Sequence, residues 1–130
     1  MELSLQITGF YAGILALLYI GLSFLVIGQR RKHLVGIGDG EIKDLSKAIR
    51  VHANFIEYVP IALLLLATAE VGGTSVQLIH AMGGLLVTSR FLHAIGLSKS
   101  IGTSWQRFCG TIGTFLTIII LALTNIIAMI

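Results

Sequence analysis

The sequence predicts an all-α integral membrane protein, an antiparallel bundle of four helices. Three observations carry this. Of 130 residues, 55% are hydrophobic and only 12% charged, and the mean hydropathy is +0.93, values outside those of soluble domains of this size. Residues without Asp, Glu, Lys or Arg run over 3–29, 51–56 resuming at 58–69, 71–89 and 108–130. Each stretch is near the roughly 20 residues that a helix needs to cross the hydrocarbon, with one interruption at Glu57. The predicted spans are about 4–28, 48–70, 75–96 and 104–129, filling a single domain, 1–130.

Span 1 reads as a true span rather than a signal peptide, because it follows an acidic Glu2, lacks a basic leader and is too long for a signal core. Arg30, Arg31, Lys32, Lys43 and Lys47 crowd the first loop, Lys99 lies in the third with Arg90 and Arg107 at its edges, and the second loop has no basic residue. The positive-inside rule then puts the first and third loops in the cytosol and both termini on the opposite side. This arrangement, with anionic lipid headgroups, accounts for the net charge of +3 without a nucleic-acid partner.

Gly36 to Gly40 (GIGDG) reads as a turn, since it has neither the Gly-Lys-Ser/Thr ending of a phosphate loop nor a preceding strand. A short polar helix from about Glu41 continues through Arg50 into span 2, and Gly72 to Thr74 and Gly96 to Thr103 make the next turns. Gly83, Gly84, Gly110 and Gly113 in spans 3 and 4 are expected where helices approach closely. His33 reads as a loop residue, His80 as packing, Trp105 as an interfacial anchor and the single Cys109 as buried packing. No spacing of Cys, His and carboxylates suggests a metal site.

Span 2 is the informative segment. Arg50, Asn54 and Glu57 fall at i, i+4 and i+7 and so share one helix face. Glu57 lies seven residues beyond the last basic residue, about 10 Å below the headgroups. A carboxylate at that depth needs a partner and marks a functional site by default, although the three residues could also form a purely structural clasp. Pro60 removes the amide that would bond the Ile56 carbonyl, so a bend is expected beside Glu57, and Tyr58 adds a phenol able to donate to an anion. Arg90 and His93 stand at i, i+3 at the end of span 3, and Arg107 opens span 4, so with Arg50 they form a cationic funnel, unless each arginine merely snorkels to phosphates.

The segment Arg50-Val-His-Ala-Asn54-Phe-Ile-Glu57-Tyr58-Val-Pro60 resembles the signature of the MAPEG family, the membrane-associated proteins in eicosanoid and glutathione metabolism. Arg90-Phe-Leu-His93, the GDG turn and the four-span length resemble its bacterial branch, found in the inner membrane. The resemblance implies a homotrimer with glutathione as cosubstrate, bound between neighbouring subunits and open to the cytosol, and a hydrophobic second substrate arriving from the bilayer. It assigns glutathione binding to Arg50, Asn54, Glu57, Tyr58, Arg90 and His93, with His52 and Arg30 as further contacts, and thiol activation to Arg107. The tyrosine that several eukaryotic members carry after Arg-x-x-His is Leu97 here, which points to a general transferase or peroxidase rather than an eicosanoid synthase. A glutathione-pocket protein without turnover and a small proton-coupled transporter are the alternatives, the latter disfavoured because Glu57 shares its face with Arg50.

Overall fold

The computed structural model describes residues 4–99 and 104–130, the side chains of 97–99 excepted. Within them lie four helices, α1 (Gln6–His33), α2 (Lys43–Val71), α3 (Val76–Lys99) and α4 (Trp105–Ile127), each long and apolar enough to cross a membrane. Residues 96–99, expected in the third turn, belong instead to α3, and the remainder of that turn, 100–103, lies outside the described residues.

Contacts along the chain fix the up-and-down topology. Ile7 and Thr8, at the start of α1, donate their amides to Glu70 at the end of α2 over 3.0 and 2.8 Å, so these two helices run antiparallel. The Tyr11 hydroxyl meets His80 Nδ1 at 2.9 Å and donates to the His80 carbonyl at 3.1 Å, which joins the starts of α1 and α3. Asn125, near the end of α4, donates to the Leu65 carbonyl at 3.0 Å. One end of the bundle is thus tied by polar contacts among all four helices, and the start of α1 and the end of α4 lie there. α2 and α3 form the centre, with α1 packed on one side of them and α4 on the other.

Two apolar clusters fill the interior. Leu15, Leu22, Val51, Phe55, Val59 and Leu86 pack toward the basic end, and Leu66, Ala69, Ile79, Met82 and Leu121 toward the end tied by Glu70. α1 buries little beyond Thr8, Leu15 and Leu22, and its outer face carries Phe10, Leu17 and Phe24 into lipid. Small residues set the helix spacing. A Cβ on Gly110 would stand 2.6 Å from the Ser89 carbonyl oxygen, one on Gly113 would overlap Ser89 Oγ, and one on Gly83 would overlap the Tyr11 ring. Gly84 faces open space, so its expected role in close approach is not seen.

Several local expectations shift. α1 extends to His33, so Arg30, Arg31, Lys32 and His33 form its last turn instead of a loop, where the three cationic side chains of Arg30, Arg31 and Lys32 suit the negative end of the helix dipole. Glu41 adopts a left-handed φ of 60° and Ile42 is extended, which delays the start of α2 to Lys43. α2 then runs unbroken through Pro60. Cys109 is exposed on the outer face of α4 beside Phe108 and Ile112, because Gly110 and Gly113 take the positions against α3.

The glycine contacts make a paired prediction. Gly110→Ala should destabilise the detergent-solubilised protein by about 1–3 kcal/mol, the usual cost of overpacking, while Gly84→Ala should leave its thermal unfolding unchanged or slightly improved. Equal effects of the two substitutions would contradict the observed α3 and α4 contact.

Candidate functional site

At the basic end of the bundle, Arg90 projects from α3 into the protein and is only 2% exposed. Its Nη2 donates to Asn54 Oδ1 on α2 at 2.7 Å, its Nη1 reaches Thr114 Oγ1 on α4 at 3.5 Å, and its guanidinium lies over the Phe55 ring, 5.9 Å from the centroid. One cation therefore draws on two other helices and an aromatic face. Among the described residues its Nε has no hydrogen-bond partner, and neither has Nδ1 of the equally buried His93, one helical turn further along. Buried polar atoms are nearly always paired, so these two mark a place where a ligand or ordered water completes the hydrogen bonding.

Arg50 and Glu57 lie next to this centre but open outward. Arg50 Nη1 pairs with Glu57 Oε1 at 3.4 Å, and the two side chains are 52% and 47% exposed in the single chain. A pair this open contributes little to stability. It is thus poorly suited to clasp helices together and well placed to exchange partners with a ligand. The charges of Arg90, Arg107 and Arg50 all act on the His93 ring, and that of Glu57 on Arg90, which places these groups in one neighbourhood. Arg107 is brought there by the start of α4, where Ser104 Oγ accepts the Arg107 amide at 3.2 Å and fixes the first turn. Gly96 permits this approach, since a Cβ there would come within 2.6 Å of the Arg107 amide nitrogen.

From Glu57 and Tyr58 an apolar cleft of about 400 Å³ leads along α2 and α4, walled by Ile61, Phe115, Ile118 and Ile119. Tyr58 and Phe115 face each other across it with ring centroids 5.4 Å apart. The cleft leads from the charged cluster to the exposed apolar side chains of Ile61, Phe115 and Ile119 on the outside of the single chain.

Of the residues singled out by sequence, Arg50, Asn54, Glu57, Tyr58, Arg90, His93 and Arg107 thus gather at one place. His52 turns toward α1, where its Nε2 meets Ser23 Oγ at 3.1 Å and its ring lies against Tyr19. Arg30 holds the first loop, donating to the carbonyls of Val35 at 3.3 Å and Gly38 at 2.8 Å. Sequence reasoning missed Thr114 and Phe55 as supports of Arg90, since a threonine and a phenylalanine within apolar spans carry no distinguishing signal. Among the described residues, no group of three or more His, Cys, Asp or Glu is arranged to hold a metal ion.

A family model, that of the MAPEG family, matches residues 8–127. The chain belongs to the MAPEG family. It is 32% identical over 121 residues to Inner membrane protein YecN of Escherichia coli K12, an alignment covering 93% of this chain and 91% of the relative, and equally similar to the protein of that name from Escherichia coli O6:H1. That name gives the relatives' location and assigns them no reaction. The match takes in the four helices, apart from the first two residues of α1, and every residue of the charged cluster.

The anchoring of Arg90 yields a stability prediction. Asn54→Leu removes its nearest hydrogen-bond acceptor and should cost about 1–3 kcal/mol, read as a lower midpoint of thermal unfolding, whereas Arg50→Met, on the open pair, should cost well under half as much. An Asn54→Leu protein as stable as the parent would show that Arg90 does not depend on this bond.

Proposed function

We propose that this protein is a membrane-bound, glutathione-dependent transferase or peroxidase of the bacterial inner membrane. It works as a homotrimer with its site between neighbouring subunits, its first and third loops in the cytosol and both termini across the membrane. The observation that carries this reading is the juxtaposition of a buried, anchored Arg90, an open pair of Arg50 and Glu57, and an apolar cleft beginning at Glu57.

A zwitterionic γ-glutamyl group can replace both halves of the open pair, its carboxylate binding Arg50 and its ammonium Glu57. A carboxylate of the tripeptide also offers Arg90 Nε the acceptor it lacks, with Asn54 holding the guanidinium in place and the Tyr58 hydroxyl donating alongside. His93 completes the buried wall. His52 and Arg30 act from further out, through α1 and the first loop. Arg107 provides the positive charge that favours the thiolate of glutathione, and the proton leaves to the cytosol.

The sulfur then attacks a hydrophobic substrate that has entered along the cleft. With an electrophilic carbon, a sulfur–carbon bond forms as the leaving group departs with its electron pair. With a lipid hydroperoxide, sulfur takes the terminal oxygen and the alkoxide is protonated to the alcohol. A second glutathione condenses with the resulting sulfenic acid, giving the disulfide and water. No protein nucleophile is consumed in either case.

Calorimetric titration with glutathione and turnover of a model electrophile test the assignment. Arg50→Ala and Glu57→Ala should each weaken glutathione binding on the order of hundredfold, the loss of about 3 kcal/mol typical of truncating one partner of a charged pair at a binding site. Arg107→Ala should bind glutathione within about threefold of the parent and lose on the order of 100-fold in turnover. Unchanged turnover in Arg107→Ala, with complete loss in Arg90→Ala, would move the activating role to Arg90.

A further inference from the structure

A second cleft, of about 190 Å³, lies between the last turns of α1 and the first turns of α2, lined by Leu25, Gln29, Asp44, Lys47, Ala48 and Val51. It is separate from the charged cluster and has a different character. Lys47 and Asp44 stand 3.5 Å apart at its mouth, the lysine 24% and the aspartate 62% exposed, so both signs of charge are offered together. Val51 and Ala48 give it an apolar floor. Within its wall Gln29 Oε1 is enclosed without a hydrogen-bond partner among the described residues, an arrangement that is costly unless a donor arrives. The start of α2 has no side-chain cap, which leaves first-turn amides open to an anion.

We propose that this cleft binds the headgroup of a phospholipid carrying a primary amine, of the phosphatidylethanolamine class. The depth is that of headgroups, since Arg30, Arg31 and Lys32 in the last turn of α1 flank the same level. The phosphate binds Lys47 and the open amides of α2. The ammonium donates to the Asp44 carboxylate and, with a turn of the Gln29 amide, to its Oε1. Leu25, 53% exposed on the outer side of α1, guides an acyl chain back into the bilayer. Choline headgroups lack an N–H to donate, and glycerol headgroups carry no positive charge for Asp44. The basic turn alone would favour anionic lipid, so the paired charges and the glutamine distinguish the cleft from a general basic surface.

Native mass spectrometry of the full chain in detergent, with dioleoyl phosphatidylethanolamine, phosphatidylcholine or phosphatidylglycerol added at equal concentration, tests this. The ethanolamine lipid is expected to bind about tenfold more tightly than either other, as for one or two additional charge-assisted hydrogen bonds. Gln29→Leu and Lys47→Met should each remove most of that preference, and Lys32→Met, on the exposed side of the same turn, should keep it. Asp44→Asn, at an exposed position outside the packing, provides the same comparison if either of the first two fails to fold, and should likewise abolish the preference. Equal binding of all three lipids, stronger binding of phosphatidylglycerol, or an ethanolamine preference unaffected by these substitutions would overturn the proposal. Glutathione binding is read separately, so either assignment can fail without the other.

Discussion

A guanidinium buried among membrane-spanning helices must be satisfied by the protein, because the surrounding hydrocarbon provides neither acceptors nor water. Arg90 sets this requirement, and much of the architecture at its end of the bundle answers it. Asn54 accepts from it, Thr114 lies at the limit of hydrogen bonding, and Phe55 offers a π face, so α2, α3 and α4 meet around one side chain. Gly110 and Gly113 bring α4 close enough to α3 for Thr114 to take part. The arrangement leaves one nitrogen of Arg90 and one of His93 without partners among the described residues. A helical core built only for stability would more readily place leucines there. The incomplete hydrogen bonding is what favours reading this cluster as a ligand site instead of a polar knot.

The two ends of the bundle divide the work. At the end where α1 starts and α4 finishes, Glu70 caps the start of α1, Tyr11 ties α1 to α3, and Asn125 ties α4 to α2. These bonds cross between helices far apart in sequence and hold the frame. At the basic end Arg90 and His52 make contacts between helices, while Arg50 and Glu57, paired along α2 itself, stay half-exposed. A frame secured at one end allows charged groups at the other to remain exchangeable.

The four spans were legible because lengths of chain without charge are a direct statement about the bilayer. The polar stripe was legible because helical periodicity alone puts Arg50, Asn54 and Glu57 on one face, and the ion pair of Arg50 with Glu57 bears that out. What sequence could not convey was which polar residues meet across helices. Glu70 looks like the polar end of a span, yet it caps a helix more than sixty residues away. Arg30 carries the charge of a ligand contact, yet its guanidinium is committed to the first loop, whose Gly38 and Gly40 adopt positive φ. Cys109 was misread for a similar reason. Hydrophobicity says that a residue lies in the membrane, but whether it faces lipid or protein depends on which neighbours are small enough to admit the next helix.

The central claim is that the cationic cluster around Arg90 and Arg107 exists to hold and ionise a thiol. The most direct test is ultraviolet titration of the thiolate band of glutathione bound to the solubilised protein, followed from acidic to alkaline pH. The account predicts a bound thiol at least half ionised by pH 7, against a value of about 8.5 for an unperturbed thiol. Saturable binding with no shift in the ionisation midpoint would contradict the account, leaving a glutathione pocket without the electrostatics for catalysis.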